Sequence, residues 1–125
     1  MNNQKIRESY LYKNYFADFY AQQKVKVKEK IVWTIKLVET LQILPEEYFK
    51  HLETTDGLYE IRVKLGSDIF RIFSFFDEGK LIILANGFQK KTQKTPRQEI
   101  EKAEKIKKEY FAEKQRTKKN KNNEK

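Results

Sequence analysis

Arg62 and Lys64 alternate with Tyr59, Ile61, Val63 and Leu65 in the segment Leu58–Leu65, and Arg71 interrupts the apolar run Ile69–Phe76. A period of two marks a strand whose faces differ, so the cations of the first segment share one face and its apolar residues the other. The Gly66-Ser67-Asp68 turn folds the second strand back on the first, which puts Arg62 and Arg71 close to opposite one another. Two guanidiniums so placed can converge on one phosphate, each offering a planar fork of donors. Lys90, Lys91 and Lys94 leave a third strand toward the same edge. They add phosphate contacts or, with a depressed pKa, an acid or base.

Each of these residues also has an ordinary reading. Arg62 and Lys64 are what any one-sided sheet shows toward solvent. Arg71, inside an apolar strand, requires a partner, and Asp68, Glu60 or a C-terminal glutamate would make it structural. Lysines in a loop are common without any ligand.

The elements that must position these side chains are legible in outline. Lys5–Tyr12 suits a first edge strand. From Asn14 to Gln22 the aromatics Tyr15, Phe16, Phe19 and Tyr20 recur at helical spacing, which predicts a short helix with Asn14 as N-cap and its aromatics in the core. Between Val27 and Leu41 the stripe Ile31, Ile35, Val38 and Leu41, widened by Val27, Trp33, Thr34 and Leu37, predicts a second helix packed on the sheet. Pro45 ends it and opens a further turn reaching Leu52. Three antiparallel strands follow: Leu58–Leu65, a doubly covered Ile69–Phe76, and Leu81–Ala85 beyond the Asp77-Glu78-Gly79-Lys80 turn. Pro96, capped by Thr95, starts a last helix with Ile100, Ala103, Ile106 and Tyr110-Phe111 as a narrow seam. The class is α+β, in the order β-α-α-β-β-β-α.

Residues 1–112 form one domain, and residues 113–125, with six basic against two acidic residues, read as a frayed or disordered basic tail. The 125 residues carry a formal charge of +9, which favours anionic partners. The chain has no cysteine, which removes disulfides, thiol nucleophiles and thiolate metal sites, and its single histidine, His51, argues against a zinc site. No window approaches the roughly 20 apolar residues of a membrane span, so a soluble cytoplasmic protein without cofactor or metal is expected.

The chain resembles the RelE/ParE superfamily of type II toxins, in its phage-derived HigB-like branch. Three segments carry the likeness: Gly57-Leu58-Tyr59-Glu60-Ile61-Arg62, Ile69-Phe70-Arg71-Ile72-Phe73, and the stretch from Gly87-Phe88 through the lysines to Thr95-Pro96. The resemblance spans about Tyr10 to Tyr110. It implies a ribosome-dependent endoribonuclease that cleaves mRNA by attack of the 2′-hydroxyl on the adjacent phosphate. On that reading Arg62, Arg71, Lys64 and Lys91 are catalytic, and Lys90, Lys94, Lys50 and Phe88 contact RNA. His51 and Glu60 are the candidate acid and base, Glu60 having as its other reading a salt bridge to Arg62 or Lys64. The resemblance further implies a cognate antitoxin of helix-turn-helix type, with the ribosome and mRNA as the other partners. Two other activities belong to the same superfamily, a ParE-like toxin that poisons gyrase without catalysis and an inactive member that only binds its antitoxin.

Overall fold

A computed structural model describes residues 4–123, their side chains as far as Lys118. The elements are β1 (Glu8–Leu11), α1 (Tyr15–Ala21), α2 (Val25–Thr40), β2 (Phe49–His51), β3 (Tyr59–Leu65), β4 (Asp68–Phe76), β5 (Leu81–Lys90) and α3 (Arg97–Asn123). The five strands lie in the order β1-β5-β4-β3-β2, with β1 parallel to β5 and every other pairing antiparallel. The class is α+β, and the sheet is mixed rather than purely antiparallel. Gly66, at φ +62, supplies the left-handed residue of the tight β3–β4 turn, a conformation that costs a glycine little.

Burial on both faces explains the composition of the central strands. Tyr59, Ile61 and Val63 of β3, with Phe70 and Ile72 of β4 and Ile82 and Leu84 of β5, face α1 and α2. Phe73, Phe75, Ile83, Ala85 and Phe88 face α3, whose Ala103 and Ile106 are buried against them. Phe73 and Phe75 are essentially inaccessible, and each such ring contributes about 1.5–3 kcal/mol by leaving water. Gly87 passes so close to α1 that a methyl group there would stand 2.7 Å from Phe19 Cε2, so a glycine is required for the helix to lie down on the sheet.

Four sequence expectations are corrected. The turn after Pro45 is a single turn, closed by Tyr48 N–H donating to Pro45 O at 2.9 Å, and the chain then extends as β2, which pairs with Tyr59–Ile61 of β3. β5 runs on to Lys90, so this lysine is a strand residue rather than part of a loop. The last helix starts at Arg97, and Thr95 directs its hydroxyl to Glu60 Oε2 at 3.5 Å. α3 continues past Ala112 to Asn123, where fraying was expected. Beyond Ala112 it is tied down by polar contacts instead of apolar ones: Tyr12 donates to Glu113, and Lys114 Nζ donates to Asp77 Oδ1 at 2.7 Å. Residues 124–125 of the expected tail lie outside the described residues.

Candidate functional site

Beyond Ile61, β3 has no strand on its outer side, because β2 is only three residues long. Arg62 stands at this change from paired to open edge. Its backbone N–H donates to Tyr48 O at 2.8 Å and its Nη1 donates to Glu46 O at 3.3 Å, so the segment entering β2 holds the arginine at both ends. Directly across the ladder lies Arg71 of β4, and across the next ladder Phe88 of β5. Two residue pairs along the strands, Lys64, Ile69 and Lys90 form a second row in the same sense. Alternation puts both rows on the α3 side of the sheet, at the end that lies beyond the start of that helix.

Arg71 is buried, 7% exposed, and its charge is met by Glu60, 4% exposed, with Nε 3.4 Å from Oε2. Alignment between them is poor, and Nε of both Arg71 and Arg62 is buried without an acceptor among the described residues. Glu60 therefore answers the need of Arg71 for a partner, and the expected salt bridge to Arg62 or Lys64 does not form. Burial lowers the pKa of Arg71, and the facing Arg62 lowers it further against the opposing pull of Glu60. Lys90 is lowered in the same way, by burial first and then by Arg71. Two arginines and two lysines with one carboxylate among them form a patch whose cations repel one another. An anion entering it relieves that repulsion.

A cleft of about 400 Å³ opens beside this patch, with Arg62, Lys64, Ile69 and Arg71 on the sheet side and Lys30 and Thr34 of α2 opposite. Glu47 and Tyr48 close a third side. None of these last four residues stands out in the sequence as a site residue: Lys30 and Thr34 read as helix-face residues, and Glu47 and Tyr48 as part of a turn. The preceding proline and the backbone bonds to β3 turn that segment into a wall. Trp33, expected on the packed stripe of α2, is 44% exposed, with its ring 5.9 Å edge-on from Tyr48 and Lys30 Nζ 4.0 Å above it.

The other candidates separate clearly. Lys50 stands opposite Glu60 across the β2–β3 ladder, half-buried, near Glu46 at 4.0 Å. His51 is exposed and lies against the ring of Tyr59, whose side chain packs on the α1–α2 side of the sheet, away from the arginines. Lys91 and Lys94 are exposed in the segment between β5 and α3, and neither lines the cleft. Phe88 is buried against Phe73, at 5.4 Å between ring centres, and belongs to the core instead of an RNA surface.

Residues 18–108 match the family model described as phage derived protein Gp49-like (DUF891), so the match takes in the sheet from β2 to β5, the cleft and the first half of α3. No curated protein matches the chain. Among the described residues no helix is long and apolar enough to cross a membrane.

Proposed function

The chain belongs to the phage-derived Gp49-like family, a family of toxin–antitoxin toxins, and on that premise we propose that it is an mRNA endoribonuclease of the RelE/ParE kind, in the HigB-like branch. The observation that carries the reading is the register Arg62↔Arg71, which sets opposite one another two arginines that line the same edge cleft. Two guanidiniums beside one cleft offer a phosphodiester two forks of donors, and its negative charge relieves their mutual repulsion.

In the reaction the RNA 2′-oxygen attacks the adjacent phosphorus, the bond from phosphorus to the 5′-oxygen breaks, and the products are a 2′,3′-cyclic phosphate and a 5′-hydroxyl. Arg62 and Arg71 stabilise the charge that builds on the phosphorane. Glu47, the one carboxylate lining the cleft among the described residues, takes the proton of the 2′-hydroxyl. Lys90 faces Ile69, a cleft residue, and its lowered pKa suits it to give a proton to the departing 5′-oxygen. Glu60 acts as a positioning residue for Arg71, and Lys64 and Lys30 draw in the flanking phosphates. The formal charge of +9 favours mRNA on the ribosome as substrate and an antitoxin with an acidic segment as inhibitor, and the family resemblance makes that antitoxin one of helix-turn-helix type.

Induction in growing cells, with RNA 5′ ends mapped, tests the proposal. The wild-type chain is expected to arrest growth and cut translated mRNA, and Arg62→Ala to lose about a hundredfold or more of the cleavage while remaining folded. Unimpaired cleavage by Arg62→Ala would remove the arginine pair from the mechanism. Cleaved DNA trapped on gyrase, with mRNA intact, would replace the nuclease reading with the ParE-like one.

A further inference from the structure

We propose that the Tyr48 ring is a stacking wall for a nucleobase, so that the cleft takes a single-stranded nucleotide with its phosphate on the arginines and its base on the β2 side; this rests on the nuclease reading above. Tyr48 lines the same cleft as Arg62 and Arg71. Among the described residues it is the only aromatic one to do so. Its backbone is fixed from both directions, its N–H donating to Pro45 O at 2.9 Å and its carbonyl accepting from Arg62 N–H at 2.8 Å. The backbone that carries the ring is thus tied directly to the arginine that grips phosphate.

Trp33 braces that ring from the side at 5.9 Å, in an edge-to-face contact. Trp33 is 44% exposed, and the helix face around it carries Lys26, Glu29, Lys30 and Lys36 beside Leu37. Lys30 connects the two environments, lining the cleft while its ammonium stands over the Trp33 ring. A base stacks on an aromatic face whatever its sequence, and a neighbouring cation adds to the attraction, which is how clefts that carry cations on one side and rings on the other hold single strands. The charge of the cleft favours a nucleotide over a basic peptide, with a phosphate as the group the cations meet. The cleft wall carries four cations, Lys30, Arg62, Lys64 and Arg71, against one carboxylate, Glu47.

Trp33 is the single tryptophan of the chain, so its fluorescence reports directly on its neighbour Tyr48. The experiment titrates the purified protein with short 2′-O-methyl RNA, which cannot be cleaved, and with the same backbone carrying abasic positions. The base-bearing strand is expected to change Trp33 emission and to bind about tenfold more tightly than the abasic one. Tyr48→Ala should erase that difference and Tyr48→Phe preserve it, with residual binding in both lost in Arg62→Ala. Equal binding of the two strands, or no binding of either, overturns the stacking wall. Loss of antitoxin binding in Tyr48→Ala with the tenfold difference intact also overturns it, assigning the ring to the protein partner. The nuclease reading is judged separately, by whether wild-type protein cuts mRNA during translation.

Discussion

Arg71 Nε lies 3.4 Å from Glu60 Oε2, both side chains more than nine-tenths buried, on adjacent strands and two residues apart in register. An ion pair this dry gains little net stability over an apolar pair, but breaking it is expensive because the survivor keeps its charge without a partner. Here the pair has a clear use: Glu60, outside the cleft, holds a guanidinium whose residue lines it.

Removing Glu60 should therefore destabilise the fold through Arg71. Glu60→Ala is expected to cost about 3–5 kcal/mol in urea unfolding. Glu60→Gln, which keeps the shape and one acceptor, should cost less. If both variants unfold like wild type, Arg71 is compensated by solvent and the pair is not structural.

The lowered pKa of Lys90 has a consequence for rate. An ammonium that must donate a proton fails once pH rises through its pKa, so cleavage should decline on the alkaline side at a pH below the ordinary lysine value of 10.5. Lys90→Arg should move or abolish that limb. A pH–rate profile of single-turnover RNA cleavage measures it, and an alkaline limb unchanged in Lys90→Arg would take the proton transfer away from Lys90.

The contact of Gly87 with Phe19 predicts a steric penalty. Gly87→Ala should lose about 1–3 kcal/mol of stability by overpacking. Combining it with Phe19→Leu should recover part of that loss, since the two residues share one space. Additive losses in the double variant would show that α1 moves away freely.

Asp77 couples the β4–β5 turn to α3, accepting from Tyr110 Oη at 2.6 Å and Lys114 Nζ at 2.7 Å. Burial pushes its pKa up, but these two hydrogen bonds outweigh burial and hold the carboxyl below its ordinary 3.8. The unfolded chain thus binds this proton more readily than the folded one. The stabilisation is complete above about pH 4 and is lost as pH falls through the folded value. Urea unfolding of wild type and Asp77→Asn should show a gap near neutral pH that closes toward pH 2, and a constant gap would contradict the sign.

Local pattern decided much of this molecule. The period of two in Leu58–Leu65, the glycine turn after it and the apolar run of β4 are enough to set Arg62 opposite Arg71, because hairpin register follows from turn length and side-chain alternation. The helices α1 and α2 and the Ile100–Phe111 seam of α3 follow equally from spacing, since an amphipathic stripe has to be covered. What depended on distant partners was not legible. β2 is three residues, Phe49-Lys50-His51, with no alternation to announce it, and it is a strand because the edge of β3 offers backbone groups to pair with. The end of α3 has no apolar stripe, and its Glu113 and Lys114 are held by tyrosine and carboxylate contacts from residues 37 to 101 positions away. Tyr48 reads as one more turn residue, and Phe88 as an exposed neighbour of lysines. Only the folded sheet places the first in the cleft and the second in the core, because the surroundings of a side chain are set by whichever elements pack around it. The sequence by itself determined that two arginines face each other; the tertiary structure decided that a buried glutamate fixes one of them and that an aromatic wall stands beside both.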